Sequence, residues 1–124
     1  MAKEVPDLRR DASEMTKGDE RVGEDEVLRC AACGHEIATR RDAIEMSGSH
    51  QHTFVNPSGV VFDVACFRDA AGCVEVGDEE ATFTWFPGWT WQIAICKRCR
   101  AHLGWKFRLA PDGFWGLIRT KLRG

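Results

Sequence analysis

The sequence predicts an all-β fold, and three features carry that prediction. From Val27 onward, short apolar stretches alternate with turn residues. "LGWKFRL" has the two-residue period of a half-buried strand. Leu103, Trp105, Phe107 and Leu109 point one way, Lys106 and Arg108 the other. Apolar residues of helical period never run long. The only plausible helix lies around "FRDAAGC", and it would be short.

Taken in order, "HTFVNPSGVVFDVACF" reads as a strand, a turn at Asn56-Pro57-Ser58-Gly59 and a second strand, a hairpin signal. "ATFTWFPGWTWQIAI" reads as strand, turn, strand, with Pro87-Gly88 suited to the central positions of a type II turn. After that turn, alternation puts Trp89, Trp91, Ile93 and Ile95 on one face. "LGWKFRL" is the next strand, and "APDGFWGLIRTKL" is a turn and a final strand.

A chain of 124 residues accommodates one domain of ordinary size, here placed at residues 25–124. Half of residues 1–24 are charged, with both signs mixed, and none is aromatic. Such a segment buries too little apolar area to offset its ordering entropy, and it is expected to be a disordered N-terminal tail. The formal charge of −2 argues against a nucleic-acid partner, which selects a strongly basic surface. No apolar run approaches the roughly 18 residues that span a membrane, and no secretion signal opens the chain. The expectation is a cytoplasmic protein with no membrane partner, and monomeric by default, since no heptad pattern is present.

In the cytoplasm six cysteines point to metal ligation or reactive thiols rather than disulfides. "CAAC" spaces Cys30 and Cys33 as one half of a tetrahedral shell, and "CKRC" spaces Cys96 and Cys99 as the other. Four thiolates close the shell around one structural Zn²⁺ and leave no position for substrate; iron is the lesser candidate. The gap of 62 residues between the pairs makes the ion a tie between distant parts of the domain rather than a small finger. A redox dithiol would need a C-x-x-C beside a βαβ pattern, which is not visible. Cys66 and Cys73 fit as small core residues, and "HQH" at 50–52 fits as a solvated loop.

Trp85, Trp89 and Trp91 fall within the eight residues of "TWFPGWTW", and Trp105 follows. Indoles commonly fill cores, but each buried N–H demands a partner that Leu or Ile would not. A rigid aromatic cage is the competing arrangement. It would suit a methylated ammonium held by cation–π attraction, or a flat neutral ring held also by backbone hydrogen bonds. The pattern alone leaves core and cage equally open.

"FVNPSGVVF", "WFPGWTW", "CKRCRAHLGWKF" and "FWGLIRTKL" together resemble the thalidomide-binding CULT domain of cereblon. The likeness runs from about Glu26 to Leu122, includes both cysteine pairs, and is similar in length to stand-alone bacterial homologues. It implies a β-tent, two antiparallel sheets meeting at a steep angle and joined by the four-cysteine zinc. It also implies a three-tryptophan cage of Trp85, Trp91 and Trp105, closed below by Phe107 and rimmed by Asn56 and Pro57. A cyclic imide would donate its N–H to the Phe83 carbonyl and accept from the Trp85 backbone N–H. The implied partners are small cyclic imides such as glutarimide, uridine-like rings with a similar polar edge, and cyclic imides at a peptide C-terminus. The implied role is binding, not catalysis. Phe83 stands where animal cereblons have histidine, which removes a side-chain contact but not the backbone one. No Lon-like domain precedes this stretch, so coupling to a ubiquitin ligase is not expected.

"CKRCRAHLG" is also similar to methionine sulfoxide reductases of the B type, but those have histidine where Trp105 stands and a catalytic cysteine near the C-terminus. No cysteine follows Cys99 here, which leaves that chemistry without its nucleophile. The pattern is also compatible with a methyl-ammonium reader, drawing on Glu79 or Glu80 upstream of Trp85, and with a purely structural zinc domain.

Overall fold

A computed structural model describes residues 26–124. The expected tail at residues 1–24 lies outside the described residues. The described chain is all-β. Strands β1 (Val27–Cys30), β2 (Glu36–Thr39) and β9 (Leu122–Arg123) form a three-stranded sheet in the order β2-β1-β9. Strands β3 (Gln51–Val55), β4 (Val61–Phe67), β5 (Cys73–Glu80), β6 (Thr90–Cys96), β7 (His102–Leu109) and β8 (Asp112–Ile118) form a second sheet in the order β3-β4-β8-β7-β6-β5. All pairings are antiparallel.

The hairpin read from "VNPSG" is present. The Asn56 side-chain oxygen accepts from the N–H groups of Ser58 (3.0 Å) and Val60 (2.9 Å), which makes the turn a local property of that asparagine. The central strands are buried on both faces. On β4, Val64 and Cys66 enter one apolar cluster with Trp105, Phe107 and Phe114, while Ala65 and Phe67 enter a second with Leu28, Ile37 and Leu117. A strand between two cores reads as continuous apolar sequence, as "VACF" does.

Three local expectations are corrected. "FRDAAGC" forms no helix; a turn closes by Cys73 N–H to Ala70 O at 3.0 Å. There Gly72 donates to Ile37 O (3.0 Å) and accepts from Lys97 N–H (2.9 Å), linking β2 to the second cysteine turn. A Cβ on Gly72 would lie 2.0 Å from Glu36 O, so this approach needs glycine. Elsewhere among the described residues, short 3₁₀ turns occur at Arg40–Asp42 and Arg119–Lys121. Second, residues 81–89 are not a strand; the antiparallel partner of β6 on that side is β5.

Third, the alternation of β7 is interrupted. Ala94 pairs with Gly104, but Ile95 pairs with His102, which leaves Leu103 as the extra residue of a β-bulge. Leu103 therefore packs in the cluster with Leu28 and Ile37, whereas Trp105 and Phe107 pack in the other. Leu109 stays largely exposed.

Candidate functional site

The four expected metal ligands converge. Cys30 ends β1 in the small sheet and Cys96 ends β6 in the large one, so the cluster joins the two sheets. The Sγ atoms lie 3.6 Å apart for Cys30 and Cys99, 3.7 Å for Cys33 and Cys96, and all four fall within 4.8 Å. Zn–S bonds of about 2.3 Å in a tetrahedron require sulfurs about 3.8 Å apart, so the cluster has the size of a zinc shell. The two C-x-x-C turns repeat one geometry. Cys30 O accepts from Gly34 N–H (2.8 Å) and Cys96 O from Arg100 N–H (2.9 Å), and both donors are left-handed, at φ 83° and 68°. Burial alone would raise the Cys96 thiol, but the backbone N–H groups of Cys99 and Arg98 outweigh it and bring it down to about 7. The four cysteines hold one structural zinc ion.

Cys66 and Cys73 take no part in the sulfur cluster. Burial pushes both thiols up to about 12, which keeps them neutral and unreactive. His50 and His52 do not lie in a solvated loop. His50 Nδ1–H donates to Ile44 O at 3.0 Å; His52 Nε2–H lies 2.9 Å from Met46 O and 3.0 Å from Ser49 O. Both half-buried rings are structural pins.

The aromatic residues meet at the other end of β6 and β7. Residues directly opposite in an antiparallel pair share a face. Trp91 pairs with Phe107 and Ile93 with Trp105, so two adjacent rungs present four apolar side chains together. Trp105 and Phe107 are buried. Trp85 arrives from segment 81–89 and stands nearly perpendicular to Trp105, with ring centres 4.8 Å apart at 81°. The indole N–H groups find partners at the rim: Trp85 Nε1–H donates to Val55 O (3.2 Å) and Trp91 Nε1–H to Thr82 O (2.8 Å).

These residues surround a cavity of about 460 Å³. Trp85, Trp91, Trp105 and Phe107 form its walls; Asn56 and Pro57 of the hairpin turn and Phe83 also line it. Phe62, Ile93 and His102 line it too, and sequence reasoning assigned them no role. Alternation from Trp91 already aimed Ile93 at the same face. The hairpin register, which sets Phe62 opposite Phe54, could have found Phe62. His102 had no such signal, because it precedes the bulge. Its Nε2–H donates to Gly104 O at 3.0 Å, and burial holds its pKa below the ordinary value.

Trp89 is outside the cavity and packs edge-on against Phe114 at 5.0 Å, so the expected face of Trp89, Trp91, Ile93 and Ile95 holds only for the middle pair. Phe83 is 71% exposed with φ 60°, an unusual backbone for a bulky side chain. Among the described residues, no hydrogen bond engages its carbonyl or the Trp85 backbone N–H. Among the described residues, no carboxylate or thiol lines the cavity; Glu79 instead accepts from the Thr90 hydroxyl. Among the described residues, no helix is long and apolar enough to cross a membrane.

The family described as Yippee zinc-binding/DNA-binding/Mis18, centromere assembly, matches residues 26–119. Protein cereblon of Danio rerio is 34% identical over 102 residues, covering 77% of this chain and 24% of that protein. Protein cereblon of Xenopus tropicalis is 36% identical over 103 residues, covering 77% and 23%, and that of Drosophila virilis 32% over 113, covering 85% and 18%. The chain thus spans at most about a quarter of the length of these relatives. With its paired cysteines and two antiparallel sheets, the chain belongs to the Yippee–Mis18 family as a cereblon-like zinc domain.

Proposed function

We propose that the chain is a small-ligand binding module whose cavity takes a cyclic imide such as glutarimide, a uridine-like ring, or a cyclic imide at a peptide C-terminus. The observation that carries the reading is the combination at one cavity of perpendicular indoles with unengaged backbone groups at Phe83 and Trp85. The imide N–H would donate to the Phe83 carbonyl, and one imide oxygen would accept from the Trp85 N–H. The methylene face would pack between Trp85, Trp91 and Trp105, with Phe107 beneath. A micromolar Kd is about 8 kcal/mol, roughly 1 kcal/mol per atom for a ligand of about eight non-hydrogen atoms, below the ceiling for very small ligands.

The role is binding rather than catalysis, and it needs no ligase coupling. A reductase would need an activated thiolate at the cavity, whereas the two non-metal thiols are buried and neutral. An ammonium reader gains from a carboxylate beside the rings, and none of the described residues lining this cavity supplies one. The module would act in the cytoplasm.

The test is titration of the zinc-loaded protein with glutarimide, N-methylglutarimide, a trimethyl-lysine peptide and methionine sulfoxide, read by tryptophan fluorescence. Saturable binding of glutarimide alone is expected, because N-methylation removes the donor to Phe83. Equal response to both imides would sink the hydrogen-bonded pose, and no response up to millimolar would return the indoles to a core role.

A further inference from the structure

Trp85 is the cage wall with no strand behind it: residues 81–89 have no regular structure, whereas Trp91 and Trp105 sit on paired strands. Something else must set the tilt of its ring. Phe54 of β3 stacks flat on Trp85, centres 4.6 Å apart and planes within 8°. Phe54 itself is not part of the cavity lining. Behind it His52, two residues earlier on the same face of β3, lies parallel at 5.4 Å and 3°. His52 is pinned in turn by the carbonyls of Met46 and Ser49. Phe86 closes the side of this stack, edge-on to both His52 and Phe54 at 5.2 and 5.3 Å.

We propose that Phe54 is a positioning residue for the cavity: as the middle plate of a His52–Phe54–Trp85 stack, it fixes the tilt of the Trp85 indole. The proposal rests on the reading of the cavity as a ring site. The tilt matters because Trp85 and Trp105 meet at 81° to form a corner, and a flat ligand fits a corner only at one angle. The Trp85 Nε1–H bond to Val55 O restrains one edge of the indole, and Trp105 and Phe62 meet the ring at 81° and 49°, so neither lies flat against it. A parallel ring at 54 sets the tilt, and an aliphatic side chain of similar volume does not.

The test uses the full zinc-loaded chain and follows hydrogen exchange of the indole Nε1–H groups by NMR. Phe54→Ala is expected to speed exchange at Trp85 by about tenfold and leave Trp91 unchanged, since Trp91 Nε1–H is held by Thr82 O. Glutarimide affinity should fall roughly three- to tenfold, the range of a lost aromatic stack. Phe54→Tyr should restore both readouts. Phe54→Leu, which also serves if the alanine variant does not fold, should keep zinc and thermal stability but neither exchange protection nor affinity. Unchanged Trp85 protection in Phe54→Ala overturns the proposal, as does equal acceleration of Trp85 and Trp91, or rescue by Leu as complete as by Tyr. If wild type does not bind glutarimide, the ring-site reading fails, while the exchange data still judge the stack.

Discussion

Gly104→Ala tests the close approach of β7 to β8 beside the bulge. A Cβ at position 104 would lie 2.1 Å from Gly116 O and 2.9 Å from Leu117 Cα, both backbone atoms of the paired strand β8. Real Cβ contacts essentially never fall below 3.0 Å, so one strand must move by about an ångström. No side chain can rotate away to absorb this. Parting the strands at the Gly104–Leu117 and Trp105–Gly116 rungs sacrifices one or two ladder hydrogen bonds, about 1 kcal/mol each, on top of about 1–3 kcal/mol of overpacking. The expected loss is about 3 kcal/mol. With a urea m-value near 1.5 kcal/mol/M, the midpoint should fall by about 2 M. Because Trp105 is the next residue, imide affinity should weaken in the folded fraction as well. A midpoint within about 0.3 M of wild type would refute the close β7–β8 approach and the register that produces it.

Trp91→Phe keeps a flat wall but loses the indole bond to Thr82, worth about 1 kcal/mol; imide affinity measured by titration should fall about fivefold. Trp91→Ala removes the wall as well and should cost about 2 kcal/mol, roughly 30-fold, with zinc content unchanged; affinity within threefold of wild type would place the ring elsewhere. Cys96→Ser breaks a shell whose binding energy is folding energy, so calorimetry should show no cooperative transition and metal analysis no zinc. Burial holds the His50 pKa below 6.5, so the folded state favours the neutral ring. That stability is present above pH 6.5 and is lost as pH falls through the lower folded value, so His50→Gln should flatten the acid side of a Tm–pH profile; parallel wild-type and variant profiles would contradict this.

The legible parts of the sequence were those where local chemistry dictates geometry. Asn56-Pro57-Ser58-Gly59 makes its own turn through the asparagine side chain, and C-x-x-C spacing predefines half a metal shell. The illegible parts depend on distant partners. Residues 81–89 are rich in β-forming side chains, yet the edge of β6 is taken by β5, and the aromatics are used for packing and lining instead. "FRDAAGC" has helical composition, but Gly72 is committed to backbone bonds with β2 and the cysteine turn. His102 could not be assigned because a bulge changes the face that each residue of β7 presents, and bulges leave no mark in a two-residue period.

That bulge explains how the nine described strands serve a metal and a cavity at once. A regular β7 would put Leu103, Trp105 and Phe107 on one face, and a single core would claim all three. With Leu103 as the extra residue, the strand turns over at Gly104: Leu103 packs beneath the zinc end, and Trp105 and Phe107 face the cavity. β6 divides its length in the same way. Trp91 and Ile93 line the cavity, while Ala94 and Cys96 join the zinc-side cluster, five residue steps from Trp91 to Cys96 and thus about 17 Å. Zinc and cavity are therefore opposite ends of one strand pair. The cysteine cluster ties the β6–β7 turn to the small sheet, the bulge fixes which face each strand presents, and the β3–β4 hairpin supplies the side that strand pairing alone leaves open. On this account the zinc site serves the cavity through the fold that it ties together, not through chemistry.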